Sequence, residues 1–258
     1  MTTEQPAIVM LYPGHAAEDD FPAAERALDG RVRLPVEITA IESDAHTVEA
    51  MLAVGSADRL LDAARRASRH APDALMWACT SGSFLYGWDG ARAQADRLAA
   101  DVGVPVSSTS LAFVDACAAL GVTSVAVAAS YPVGVADGFT AFLREAGISV
   151  TTLHTFDIES ATLAGDVDEI SLQQMIQAVH GSAAQAILLP DTALHTIGHI
   201  DRLERGLDRP LLTANQVTVW QGLRIAGVEP RSATLGCLFR SGFDGRRGSD
   251  HAARANRS

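Results

Sequence analysis

The 258-residue chain has the composition of an ordinary folded protein, 48% hydrophobic and 20% charged, and is long enough for one large domain or two of about 100–150 residues. Its net charge of -11 excludes a basic nucleic-acid surface, no apolar run approaches the roughly 20 residues that cross a bilayer, and the polar start MTTEQ lacks the basic flank of a signal peptide. Three cysteines, Cys79, Cys117 and Cys237, fit neither a disulfide framework nor a zinc site, so a cytoplasmic protein without metal, nucleic-acid or membrane partner is expected.

Taken in chain order, short β-rich runs alternate with Ala- and Leu-rich amphipathic ones. AIVMLY (7–12) and RLPVEITAI (33–41) read as strands, ADRLLDAARRASRH (57–70) as a helix, and ALMWAC (74–79) as a strand ending at Cys79. The series continues with helix ARAQADRLAADV, strand VPVSS, helix AFVDACAALG, strand SVAVAAS, helix GFTAFLREAG and strand ISVTTLHTF. It closes with helix SLQQMIQAVHG, strand AILLP, helix HIDRLERGL and strand PLLTA. Such alternation gives parallel sheets covered by helices, with ligands expected at loops beyond the carboxyl ends of the strands. The polar segment 243–258 reads as a flexible tail.

The two halves echo one another. Tyr12-Pro13 matches Tyr131-Pro132, Cys79-Thr80 within ALMWACTSGS matches Asp191-Thr192 within AILLPDTALH, and VPVSSTSLAFVDA matches RPLLTANQVTVWQ, all in one order and at similar offsets. Two pseudo-symmetric α/β subdomains follow, 1–115 and 116–215, with a closing segment near 216–240, each lending the same loops to a central cleft. Apolar helices between the subdomains could support a homodimer or a higher homo-oligomer.

Cys79 is followed at once by Thr80, Ser81, Gly82 and Ser83. If a helix opens there, the N–H groups of Thr80 and Ser81 form a seat for a carboxylate or oxyanion, and the same partial positive charge lowers the thiol pKa. A nucleophile on an anion-binding loop is one reading; a small cysteine packed at a strand end is the other. Cys117 and Cys237 read as packing residues. Asp191, with Thr192 beside it and ALHTIGHI expected to open a helix, is either an acid–base partner facing the thiol or a helix cap. Asp191, His195 and His199 fall on one helical face, but ligands spread along about 12 Å cannot converge on one ion; His195 is expected in the pocket and no metal is expected. No Gly-rich nucleotide-binding pattern is present.

ACTSGSF near residue 80, SSTS at 107–110, SYP at 130–132 and TANQVTVWQGLRIAG at 213–227 together resemble the maleate isomerase and arylmalonate decarboxylase family of the aspartate/glutamate racemase superfamily, over residues 7–240. The resemblance implies two Rossmann-like (flavodoxin-like) subdomains with the active site between them, chemistry without cofactors, and a small carboxylic acid, of the dicarboxylate type, as substrate. Racemases of the superfamily use two cysteines; maleate isomerases use the first as a nucleophile that adds to the double bond; arylmalonate decarboxylases keep only the second, as a proton donor. This chain keeps the first as Cys79 and carries Asp191 at the second. That pattern implies cis–trans isomerisation of a maleate-like acid, with decarboxylation of a substituted malonate, a Cys/Asp racemase and a carboxylate-binding protein without turnover as alternatives. Tyr131 matches the family's carboxylate-binding tyrosine, and Thr80, Ser81 and Thr192 are expected to bind carboxylate with it. The first loop departs from the family's PSSN-like segment and reads YPGHAAEDD, so His15 is expected to take the polar role, or Gly14 to open access to backbone N–H groups.

Overall fold

The computed structural model describes residues 5–240. The first half runs β1 (Ile8–Pro13), α1 (Asp20–Ala27), β2 (Val36–Thr39), α2 (Val48–Val54), α3 (Ala57–Ala67), β3 (Ala74–Trp77), α4 (Ser81–Phe84), α5 (Gly87–Val102), β4 (Val106–Ser108) and α6 (Thr109–Leu120). The second runs β5 (Ser124–Ala129), α7 (Val133–Glu145), β6 (Ser149–Thr155), α8 (Ala161–Gly165), α9 (Glu169–His180), β7 (Ala186–Leu189), α10 (Ile200–Glu204), β8 (Leu211–Thr213) and α11 (Ala214–Ile225). All strands pair in parallel, in two sheets of identical order, β2-β1-β3-β4 and β6-β5-β7-β8. The α/β architecture of two pseudo-symmetric subdomains read from the repeat is therefore the one observed. The expected tail at 243–258 lies outside the described residues.

The central strands are near-continuous apolar runs because parallel sheets are covered on both faces: Ala74–Trp77 and Ala186–Leu189 are buried throughout. Helix starts are set by side chains that satisfy the first free N–H groups. Thr47 caps α2 through Ala50 N at 3.2 Å, and Thr213 with Gln216 forms a capping box on α11. Helix α11 then returns to the first sheet. At Gly222 an added Cβ would stand 2.7 Å from Ile8 Cγ2, so the missing side chain sets how closely the helix approaches the strands. The halves are joined by an aromatic cluster in which Phe84 of α4 packs on Phe139 of α7 at 5.2 Å, and Phe113 of α6 on the same ring at 5.5 Å. This locks the turn after β3 against the second half. Among the described residues no helix is long and apolar enough to cross a membrane.

Candidate active site

The turn after β3 is clamped from behind. The sheet continues through Ala78 N–H, which donates to Leu11 O at 2.9 Å, and Cys79 follows. Trp77 Nε1 and Gln94 Nε2 both donate to Gly82 O, at 3.2 and 3.1 Å, and Gln94 also bonds Gly55 O at 2.8 Å. Gly55 lies so near that an added Cβ would be 2.1 Å from Gly82 O, a distance no side chain allows. The same residue Gly82 donates its N–H to Cys79 Sγ at 3.3 Å, with Ser81 Oγ at 3.8 Å.

Those donors do not make the thiol acidic. Cys79 is 5% exposed, and burial, joined by the Asp191 charge, pushes its pKa up to about 11 despite the bonds from Gly82 and Ser81. The expected lowering at a helix N-terminus is thus reversed. Helix α4 has only four residues, whereas desolvation acts on the whole thiolate charge. Cys117 is enclosed in the core, and burial likewise pushes Cys117 and Cys237 up to about 12.

Asp191 stands two residues beyond β7, as Cys79 stands two beyond β3. Its Oδ2 accepts from Ser130 Oγ and its Oδ1 from Ala193 N at 2.9 Å. The helix expected from ALHTIGHI is absent; residues 192–199 form turns, and α10 begins at Ile200. The cause lies far away in sequence. The buried carboxylate of Asp20 on α1 accepts from Thr196 N at 2.9 Å, Ile197 N at 3.2 Å and Asn215 Nδ2 at 2.9 Å, so the segment's donors go to a side chain instead of an i−4 carbonyl. Burial raises the Asp20 pKa against these bonds.

Cys79, Ser81, Tyr131, Asp191 and Thr192 line one cavity of about 50 Å³, together with Tyr12, Met51, Ile41 and the segment Ser43 to His46. Thr80 does not line it; it is fully buried and its Oγ1 has no partner. Tyr131 OH donates to Pro190 O at 2.8 Å, and Tyr12 OH donates to Thr192 O at 3.0 Å while accepting from Ala17 N at 2.9 Å. Burial holds both phenols well above the usual tyrosine range, and the Asp191 and Cys79 charges add to it. A larger groove of about 520 Å³ between α3 and α5 runs behind the Cys79 turn and is lined by none of these side chains except through Gly55 and Gln94 at its floor.

Besides Thr80, three expected site residues are placed outside the cavity lining. His15 is exposed and pairs with Glu18 Oε1 at 2.6 Å. Gly14 is left-handed at φ +67°, and its N–H already donates to Thr39 O at 3.3 Å; its bare Cα makes room for Ile41, whose Cδ1 would be 2.5 Å from a Cβ. His195 bridges Gly165 O at 3.1 Å and Asp19 Oδ1 at 2.8 Å. His199 pairs with Glu169 at 3.0 Å, so the Asp191, His195 and His199 side chains go to separate partners. Sequence reasoning missed Ser130, Tyr12 and the 41–46 segment. Tyr12 was within reach, since the repeat pairs it with Tyr131.

Residues 37–239 match the family model described as arylmalonate decarboxylase. The chain belongs to the arylmalonate decarboxylase family. The arylmalonate decarboxylase of Bordetella bronchiseptica is 27% identical over 172 residues, covering 66% of this chain and 72% of its own. A solved structure of a mutant arylmalonate decarboxylase in its liganded form is 27% identical, with TM-score 0.79, over 91% of this chain and 99% of that one. The maleate isomerase of Pseudomonas putida S16 with maleate has TM-score 0.83 at 21% identity, over 91% and 97% of the two chains. A Nocardia farcinica maleate cis-trans isomerase mutant with a covalently bound succinylcysteine intermediate has TM-score 0.83 at 17% identity, over 91% and 98%. At those identities the isomerases share the fold, and the family membership rests on the decarboxylase match.

Proposed function

We propose that the protein is a cofactor-independent enzyme in which Cys79 adds to the double bond of a small unsaturated diacid and isomerises it from cis to trans. One observation carries the reading: Cys79 and Asp191, from equivalent turns of the two halves, line the same cavity. The thiol rests protonated at neutral pH, since its pKa is pushed up to about 11, so its proton must move as it attacks. The S–C bond forms while the π pair of the alkene moves onto the adjacent carboxylate as an enediolate, and the thiol proton passes to Asp191. What was a double bond is now single and rotates. The pair then returns, the C–S bond breaks, and sulfur recovers its proton, so nothing is consumed. The Ser81 and Thr192 hydroxyls, with Tyr131 turning from the Pro190 carbonyl, stabilise the enediolate charge.

A second reading, decarboxylation of a substituted malonate, is favoured by the family match itself. In it Asp191 rather than a cysteine delivers the proton to the enediolate left by departing CO₂. Incubation with maleate, substituted maleates and phenylmalonate, followed by proton NMR and CO₂ release, separates the two. Accumulation of the trans acid, lost on Cys79→Ser, is expected. CO₂ release from phenylmalonate with no isomerisation of any alkene would replace the first reading by the second.

A further inference from the structure

Between β2 and α2 the chain forms a strap, residues 40–47, that crosses to the second half. His46 N donates to Glu159 O at 2.7 Å, Ala161 N to Asp44 O at 2.9 Å, and Thr162 Oγ1 to Asp44 Oδ2 at 2.6 Å. Ala45 and Ser160 form an antiparallel bridge. The Thr162 hydroxyl holds the Asp44 carboxyl below its ordinary pKa. With the strap docked, the cavity of about 50 Å³ is far smaller than the roughly 300–1,000 Å³ of ordinary ligand pockets. Accommodating a substrate therefore requires the cavity wall to move, and Ile41 and Ser43 to His46 of the strap supply part of that wall.

The strap carries His46 into the cavity wall, 5% exposed and edge-on to the Tyr131 ring at 5.2 Å. Its Nδ1 lies 2.8 Å from Ile158 O. A carbonyl only accepts, so Nδ1 carries the hydrogen and Nε2 is the nitrogen left for a ligand. Among the residues lining the cavity, His46 is the one side chain able to bear positive charge, whereas Asp44 and Asp191 bear negative charge. The Tyr12 hydroxyl is already committed to the Thr192 carbonyl, and Tyr131, once turned from the Pro190 carbonyl, serves the carboxylate near Cys79. A dianion enclosed here without a cationic partner would be strongly disfavoured.

We propose that His46 is a specificity-determining residue: as the imidazolium, with its Nδ1–H anchored on the Ile158 carbonyl, it donates from its second N–H, at Nε2, to the second carboxylate of a diacid whose first carboxylate lies near Cys79. Because the strap delivers His46 only when docked, recognition of that second carboxylate and closure of the cavity are one event, and monoacids are discriminated against. The inference rests on the reading of the cavity as a Cys79-centred acid site and names the class of acid it takes.

The test uses calorimetry on the full chain carrying Cys79→Ser, which binds without turning over. Maleate, succinate and phenylmalonate are titrated as diacids, and succinamate as the monoacid. At least one diacid is expected to bind tenfold or more tightly than succinamate. Adding His46→Gln is expected to weaken that diacid tenfold or more while succinamate stays within twofold. Thr162→Val, which leaves His46 intact but loosens the docked strap, is expected to weaken the same diacid severalfold and serves if His46→Gln fails to fold. The proposal is overturned if no diacid outbinds succinamate, including the case of no binding at all, or if diacid affinity stays within twofold in the substituted protein. Loss of isomerisation with a His46-dependent diacid preference intact would count against the reaction alone.

Discussion

The Cys79 turn and the Asp191 turn occupy equivalent places, each two residues past the third strand of its sheet, yet they hold their side chains by opposite means. Behind Cys79 the backbone is clamped by Trp77, Gln94 and Gly55, while the sulfur itself is met only by the Gly82 N–H and, at 3.8 Å, the Ser81 hydroxyl of its own turn. At Asp191 the backbone is irregular and held from afar by Asp20, while the carboxylate has a donor on each oxygen. The difference fits the proposed roles, an attacking atom that must advance toward carbon and a proton acceptor that must stay in place. Symmetry supplied two equivalent positions, and the packing around them made the turns unlike.

The largest effect is expected from breaking the first clamp. Gly55→Ala drives a methyl group into the Gly82 carbonyl, and an overpacked backbone contact of this kind costs about 1–3 kcal/mol; a lowered midpoint in urea unfolding, together with loss of turnover, checks it. Ser130→Ala removes one of the two donors to the buried Asp191 carboxylate, worth about 1–3 kcal/mol and read as a lower Tm, with Ala193 N–H keeping the loss toward the small end. Asp191→Asn sharpens the comparison at the sulfur. The Asp191 charge is a lesser cause of the raised thiol pKa than burial, so the pKa is expected to fall from about 11 without reaching that of an exposed thiol. Iodoacetamide then reacts faster with Cys79 at any fixed pH below the midpoint, since lowering a thiol pKa by one raises its thiolate fraction up to about tenfold; an unchanged rate would mean the two groups do not sense each other. The smallest effect belongs to Gln94→Ala, which takes one donor from Gly82 and Gly55 for about 0.5–1.5 kcal/mol, since Trp77 still holds Gly82; the same denaturation experiment measures it.

Much of this was legible in the sequence. All eight strands stand where alternation and apolar runs put them; for the central ones, a strand buried on both faces has little choice of residues. The pairing of Cys79 with Asp191 came from the repeat alone. Three things were not legible, and each depends on contacts distant in the chain. The helix expected after Asp191 gives way to turns because Asp20 captures the Thr196 and Ile197 N–H groups. The direction in which the Cys79 pKa moves depends on how completely the turn is enclosed, which a motif does not encode. The strap carries no periodicity, and His46 enters the cavity only because the backbone of 158–161 pairs with it. His15 and His195, chosen for residue type beside expected loops, find carboxylates closer at hand in Glu18 and Asp19.

The most direct measurement is the stoichiometry of inactivation. The protein is alkylated with iodoacetamide at pH 9 to graded extents, the modified fraction at Cys79 is counted by peptide mass spectrometry, and isomerisation of maleate or a substituted maleate is assayed on each sample. Residual turnover is expected to fall in proportion to unmodified Cys79 and to reach zero with it, and bound diacid to slow the labelling. Protein fully alkylated at Cys79 that still isomerises its substrate at the native rate would contradict a nucleophilic role for the thiol.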